Sequence, residues 1–317
     1  RPLKSILCCF DNKTLEFEYH HLVSSNITFI DKDFEQKTKK FVRFKDYLAF
    51  FKSQNIILDN KKREQFIVDQ LNKVAKKENL KIIFNSNLLN EVTNIVEKPN
   101  IIKCRFNKRF LEIPDDILVT TMQVHQKYFP TFNSRDNLTN NFFLVADNKD
   151  SKGLIKIGNE NVVEARLNDA KFFWDKNKTQ NLVKGISNLK KLSYFEGLGS
   201  YFEKIQRLRK LGALISDELL ISKEKVEIAS SICKVDLTSD LVNEFPELQG
   251  VMGGHFAKSQ GFDNDICLAI REHYLPIGPE TKTPKKPYSV TLAMSDKLDT
   301  LSGFFAINLK PTSSKDP

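Results

Sequence analysis

The spacing of hydrophobic and polar positions follows two rhythms, and the change falls near residue 150. Before it, short alternating runs are mixed with helical ones. LKSILCCF and LEFEYHHLV read as two strands joined by the turn DNKT. A basic helical segment follows near Phe44–Lys52. KKREQFIVDQLNKVAKKEN is an amphipathic helix that groups Phe66, Ile67, Leu71, Val74 and Ala75 on one face, with lysines over the rest. SNLLNEVTNIVEK predicts a second helix, with Ser86 as its N-cap and an end before Pro99, because a residue preceding proline resists helical angles. Strands are expected over Ile101–Phe106, Gln126–Phe132 and Asn141–Asp147. PDDILVTTMQ lies between the first two and places Pro114 at a helix start.

From Asn159 onward nearly everything reads helical. In NENVVEARLNDAKFFWDK, Val163, Leu167, Ala170 and Trp174 share a face, and Arg166 and Asp169 stand one turn apart, at pairing distance. YFEKIQRLRKLGALIS repeats the theme with Phe202, Ile205, Leu208 and Leu211. Further helices are expected near Lys223–Lys234, Leu248–Lys258, Asn264–Tyr274 and Ser289–Phe305. The loop PIGPETKTPKKP, with four prolines between Pro276 and Pro287, separates the last two. The expected class is α+β: a mixed module over residues 1–150, then a helical domain over residues 151–317.

Composition narrows the class further. The 317 residues are 40% hydrophobic and 28% charged, an ordinary globular balance. No apolar run approaches the ~18 residues needed to span a bilayer, so no membrane role is expected. RPLKSILCCFDNK is charged again by Asp11 and does not read as a signal peptide. The five cysteines are scattered without a C-x-x-C pair, which fits reduced thiols in a cytoplasmic protein; Cys8 and Cys9 read as strand packing. The chain opens on Arg1, has its first methionine at Met122 and ends at KPTSSKDP, and so reads as a piece of a longer protein.

The net charge of +9 is uneven: residues 32–81 hold 14 Lys/Arg against 7 Asp/Glu. A basic half points to a polyanion such as nucleic acid. Candidate phosphate contacts are Lys61, Lys62 and Arg63, clustered where a helix opens, then Lys73, Lys76 and Lys77. Arg207 and Arg209 are further candidates, since a guanidinium grips phosphate with two hydrogen bonds.

Catalytic signatures are sparse. There is no phosphate-binding glycine loop, and GGHF at Gly253 lies inside a helical pattern, where its glycines allow close helix packing. No Ser-His-Asp or Cys-His set can be assembled; His20, His21 and His125 read as packing or surface groups. His255, the dipeptide Glu272-His273 and Asp296 lie on successive helices. They resemble the histidine, His-Asp dipeptide and later aspartate of the HD-type phosphohydrolases. The dipeptide here is Glu-His, and a one-residue shift on a helix turns a side chain by about 100°. The expectation is a degenerate helical scaffold without bound metal. The alternative is a metal-dependent phosphohydrolase using His255, His273 and Asp296.

Longer motifs carry a stronger resemblance. ARLNDAKFFWD, CKVDLTSDLVNEFPELQGVMGGHFA, AIREHYLP, LAMSDKLDTLSGFFAI and PTSSKDP, in that order, resemble the beta subunit of bacterial glycyl-tRNA synthetase. RFLEIPDDILVTTMQVHQKYFP and IGNENVVEARL also match that family. The likeness runs over residues 95–317 and is weaker before, where the family's glycine-histidine-arginine-phenylalanine element is not visible after Ser24.

The resemblance implies an assembly of two alpha and two beta subunits. The alpha subunit joins glycine to its tRNA with ATP and Mg, and the beta subunit grips the glycine tRNA. Residues 1–150 would correspond to a module similar to the editing domain of phenylalanyl-tRNA synthetase, and the rest to an HD-like helical domain. The family's N-terminal part and C-terminal anticodon-binding domain would lie outside the chain. No catalytic residue and no cofactor are expected within it. A non-catalytic RNA-binding protein derived from the same family is a third reading.

Overall fold

The computed structural model describes residues 3, 5–32, 35–278 and 281–309. The motif PTSSKDP at 311–317 and two positions of the proline-rich loop, 279 and 280, lie outside the described residues. The chain is mixed α and β and divides into two compact units. The first contains Arg1–Cys104, Thr131–Asn137 and Phe142–Lys156; the second contains Arg105–Pro130, Leu138–Asn141 and Ile157–Pro317. Among the described residues no helix is long and apolar enough to cross a membrane.

The first unit begins with short strands: β1 (Ile6–Leu7), β2 (Cys9–Phe10), β3 (Lys13–Thr14), β4 (Glu18–Tyr19) and β5 (Leu22–Ser25). β2 and β3 form a tighter hairpin than expected: only Asp11-Asn12 of the predicted DNKT turn, both with positive φ, a conformation Asn and Asp tolerate, make the turn, and Lys13-Thr14 pair as strand. The second predicted strand is broken, because the chain turns again at His20-His21 between β4 and β5. The two histidines are therefore turn residues. β6 (Ile27–Lys32) and β7 (Glu35–Lys40) pair antiparallel from Ile27↔Lys40 to Lys32↔Glu35.

Three helices follow: α1 (Phe44–Ser53), α2 (Asn60–Lys77) and α3 (Ser86–Ile95). Phe41, Tyr47, Phe50 and Phe51 make an aromatic cluster under α1. α2 is capped by Asp59, which accepts from the Lys62 amide at 2.9 Å. Its buried line is Arg63, Ile67, Leu71 and Ala75, spaced four apart, while Phe66 turns outward at 38% exposure. Burying Ile67 and Leu71 contributes roughly 1.5–3 kcal/mol each. The N-cap of α3 is Asn85 rather than Ser86; its Oδ1 accepts from the amides of Asn87 and Leu88. α3 ends before Pro99, as expected. β8 (Lys81–Ile82), β9 (Asn100–Arg105), β10 (Phe129–Phe132) and β11 (Leu138–Ala146) form a four-stranded sheet in the order β8-β10-β11-β9.

The second unit is helical. α4 (Asp115–Thr120) runs into a π turn at Thr121–His125. α5 (Leu154–Asn177) buries Val163, Leu167, Ala170 and Trp174, the face that the sequence predicts. Arg166 reaches Glu244 at 3.6 Å, not Asp169 one turn on. Next come α6 (Leu182–Gly185), a small hairpin of β12 (Ser193–Phe195) and β13 (Gly199–Ser200), and α7 (Tyr201–Glu218). α7 starts with a capping box between Ser200 and Glu203. α8 (Lys223–Ile232), α9 (Asp240–Glu244), α10 (Val251–Ser259), α11 (Asn264–Glu272) and α12 (Pro287–Ala306) complete the unit, with α7 against α8 and α12, and α11 against α8, α10 and α12. Gly253 and Gly254 set the α10–α11 spacing. A Cβ at Gly253 would sit 2.8 Å from Ile270 Cγ2, and one at Gly254 would sit 2.8 Å from the Cys267 carbonyl oxygen. The close packing expected of GGHF is what these distances describe.

Candidate nucleic-acid interface and the buried ionic cluster

The phosphate candidates on α2 separate by which way the helix turns them. With one side anchored by Ile67, Leu71 and Ala75, the 100° step per residue sends Lys61, Lys62, Lys73, Lys76 and Lys77 to the opposite arc. All five are exposed, and among the described residues none makes an ion pair. Lys62 and Lys73 stand about 17 Å apart along the axis at ~1.5 Å per residue. Lys76 and Lys77 lie in the last turn, where the helix dipole favours cations. The result is two clusters of exposed ammonium groups along one side of the helix.

The three arginines are otherwise engaged. Arg63 is buried at 6% exposure. Its Nε donates to the Thr93 carbonyl at 2.8 Å, Nη1 to the Ile57 carbonyl, and Nη2 to Asn60 Oδ1 at 2.6 Å. Arg63, a candidate phosphate contact by sequence, is thus turned inward, its fork filled by two backbone carbonyls and the Asn60 side chain. Arg207 grips both oxygens of Asp299, at 2.5 and 3.2 Å, and donates to the Leu198 carbonyl. Arg209 pairs with Glu227 and donates to Gln206.

The HD-like positions fall into two separate networks. His255, on α10, places Nε2 at 2.8 Å from Asp116 Oδ2, and Arg271 donates to the other Asp116 oxygen at 2.9 Å. Burial pushes the Asp116 carboxyl up. The His255 hydrogen bond and the Arg271 charge outweigh that and hold it below the usual carboxylate range. His273, at the end of α11, is fully buried. Its Nδ1–H donates to the Ile270 carbonyl at 2.6 Å, which fixes the tautomer and leaves Nε2 as the lone-pair nitrogen. Burial, helped by the nearby Lys234 charge, pushes the ring down to about 3, so it is neutral. Glu272, one residue earlier, is half-buried.

Asp296 sits between two ammonium groups. Its Oδ1 lies 3.2 Å from Lys204 Nζ and 3.1 Å from Lys234 Nζ. Both lysines are almost fully buried, at 2% and 1% exposure. Burial raises the Asp296 carboxyl, but Lys234, His273 and Lys204 more than offset it, to about 2. Lys204 also binds Asp299 at 3.0 Å and lies over the Tyr194 ring; Lys234 lies 3.8 Å from the centre of the Tyr274 ring. Asp236 Oδ2 accepts the amides of Gly250 (2.5 Å) and Gly253 (3.1 Å) at the start of α10, and burial pushes this carboxyl up to about 6.

Lysines thus supply the positive charge that Asp296 faces. His255 is spent on Asp116, away from that carboxylate's partners. Among the described residues no group of three or more His, Cys, Asp or Glu is placed to hold a metal ion. Sequence reasoning missed Lys204, Lys234 and Asp236. The signal was the pair of charges inside the apolar run SICKVDL, where a solvated surface would not carry Ile232, Cys233 and Val235.

Comparison with known proteins brings in what geometry alone does not. The family model of the glycyl-tRNA synthetase beta subunit matches residues 1–317. The glycine–tRNA ligase beta subunit of Thermodesulfovibrio yellowstonii is 35% identical over all of this chain and 47% of its own length. That of Listeria monocytogenes is 37% identical over all of this chain and 46% of its own. That of Rhodospirillum centenum is 38% identical over 86% of this chain and 39% of its own. The chain spans about half the length, or less, of the curated relatives it matches. With every residue inside the family's match, the chain belongs to the glycyl-tRNA synthetase beta-subunit family.

Proposed function

We propose that this chain acts as the beta subunit of a glycine–tRNA ligase and that its share of the reaction is to hold the tRNA. Attachment of glycine to its tRNA, driven by ATP with Mg, falls to a partner alpha subunit in a cytoplasmic assembly of two alpha and two beta chains. No residue of this chain performs chemistry, and it needs no cofactor of its own. Residues 1–150 act as a module akin to the editing domain of phenylalanyl-tRNA synthetase, and residues 151–317 as an HD-like helical domain.

The whole-length family match supports this reading. The structural observation that carries the tRNA-holding part is the exposed lysine arc of α2. A subunit that lends affinity needs outward cations rather than a nucleophile. Each lysine that neutralises a phosphate releases condensed counterions, and log K falls by about 0.7–0.9 per contact against log salt. Five contacts from Lys61, Lys62, Lys73, Lys76 and Lys77 give a slope of about −4.

The test is a titration of glycine tRNA with the complete chain between 50 and 200 mM salt. Lys76→Gln/Lys77→Gln should shrink the slope by about 1.5. Failure of the chain to bind tRNA, or a slope unmoved by the double variant, overturns the reading. So does full glycylation by the alpha subunit alone.

A further inference from the structure

α1 carries an aromatic surface that the lysine arc of α2 leaves unused. Phe44 opens the helix and is 72% exposed; Leu48 and Val42 beside it are each 42% exposed. The Phe44 ring lies nearly parallel to that of Tyr47, with centroids 6.4 Å apart and planes 15° apart. Tyr47 is braced from behind by Phe41 at 5.4 Å and Phe51 at 4.7 Å, and both of those are buried. Phe44 is thus the outermost ring of an aromatic cluster, stacked on Tyr47, which meets Phe41 edge-on and Phe51 at a tilt. Single exposed apolar residues are ordinary; an outward ring on such a cluster is less so.

Along its own segment the charge is mostly positive, while Glu97 from outside it acts on the Tyr47 hydroxyl. Lys39, Lys40, Arg43, Lys45 and Lys52 are all exposed. The one carboxylate between residues 39 and 53 is Asp46, and Arg43 holds it at 2.7 Å. Phe44, Leu48 and Lys52 are spaced four apart and form one stripe of α1, with Lys45 a single residue step from Phe44. Lys45 and Lys52 lie about 10 Å apart along the axis. A protein partner docking on the apolar stripe would need carboxylates placed beside its own apolar surface to offset the desolvation of these cations. An unpaired nucleotide satisfies both parts at once: its base offers a π face to Phe44, and its phosphates meet the lysines.

We propose that Phe44, backed by Tyr47, is a stacking platform for an unpaired RNA base, with Lys45 and Lys52 taking the flanking phosphates. This rests on the RNA-binding reading above and adds to it a preference for single-stranded segments.

The experiment titrates the complete chain with three probes: a decaadenylate carrying one 2-aminopurine, a blunt RNA duplex of the same length, and glycine tRNA. Phe44→Ala should weaken single-strand binding about tenfold and abolish the 2-aminopurine quench. It should leave duplex binding within about twofold and the salt slope unchanged, since stacking releases no counterions. Phe44→Trp should keep the quench. Wild-type affinity and quench in Phe44→Ala overturn the proposal. So does a loss of self-association, measured by light scattering, in place of a loss of single-strand binding, because the stripe then docks protein. A wild-type chain that binds tRNA while Phe44→Ala changes nothing sinks only the platform; a wild-type chain that binds no RNA sinks the tRNA reading as well.

Discussion

Replacing Asp296 by asparagine removes the one carboxylate that, among the described residues, forms an ion pair with Lys234, while Lys204 keeps Asp299 at 3.0 Å. At 3.1 Å and an effective dielectric near 20, the lost attraction is about 5 kcal/mol before solvation is counted. Lys234 cannot recover it from water at 1% exposure, and the Tyr274 ring contact is already made in the wild type. The expected destabilisation for Asp296→Asn is about 3–5 kcal/mol. Lys234→Met behaves differently. It removes the buried ammonium and leaves Asp296 facing Lys204 at 3.2 Å, so the cost should stay below about 2 kcal/mol. The double variant should be more stable than Asp296→Asn alone, a coupling of about 1–3 kcal/mol. Urea unfolding at pH 7, followed by the fluorescence of Trp174, reports on this unit; that residue is the only tryptophan and is buried in α5. The sign with pH follows from the depressed Asp296 carboxyl. Its contribution is fully present above the ordinary carboxylate pKa and is lost as pH falls toward about 2. Equal costs for the two single variants, or a double variant that loses their sum, would refute the idea that Lys234 depends on Asp296.

Other perturbations have definite signs. Asp236, pushed up to about 6, makes the folded state hold a proton that the unfolded chain gives up, so its contribution falls as pH rises from about 4 to 6. Asp236→Asn should therefore gain about 3 kcal/mol relative to wild type between pH 4 and pH 7. A difference that stays constant across pH, in the same urea assay, speaks against that. Gly254→Ala pushes a methyl against the Cys267 carbonyl oxygen at 2.8 Å and should cost about 1–3 kcal/mol. Gly158→Ala, in α5 with nothing within 4 Å, should instead stabilise by about 0.5–1 kcal/mol. Melting temperatures moving in opposite directions check the pair.

Much of the helical half was legible because period, caps and breakers agree there. The α5 face emerged as read, and among the described residues of the proline-rich loop none before Pro287 is helical. The β6–β7 hairpin was not foreseen, since EQKTKK carries no apolar alternation and the pairing is made by backbone. Asn85 and Ser86 are both good caps; the extended backbone at Asn85 decides between them. The site was legible in composition but not in role. Lysines on α2 point outward as the helix period requires. The partner of Arg207 stands 92 residues away, and Arg63 turns inward to carbonyls that no sequence pattern marks. The ammonium pair at Asp296 was half legible: the apolar run SICKVDL marks Lys234 as a core charge, while its partner Asp296 and the second lysine, Lys204, stand far along the chain.

Arg63 has a consequence for motion. One guanidinium ties the Ile57 carbonyl ahead of α2 to the Thr93 carbonyl near the end of α3, and the Ile57 amide is itself bonded to the Glu97 carbonyl at 2.9 Å. Those two stretches cannot fray one at a time, because releasing either strands a buried cation. Their amide protons should exchange with solvent at a common rate, as one cooperative segment, and Arg63→Lys, with a single nitrogen to share, should let them exchange independently.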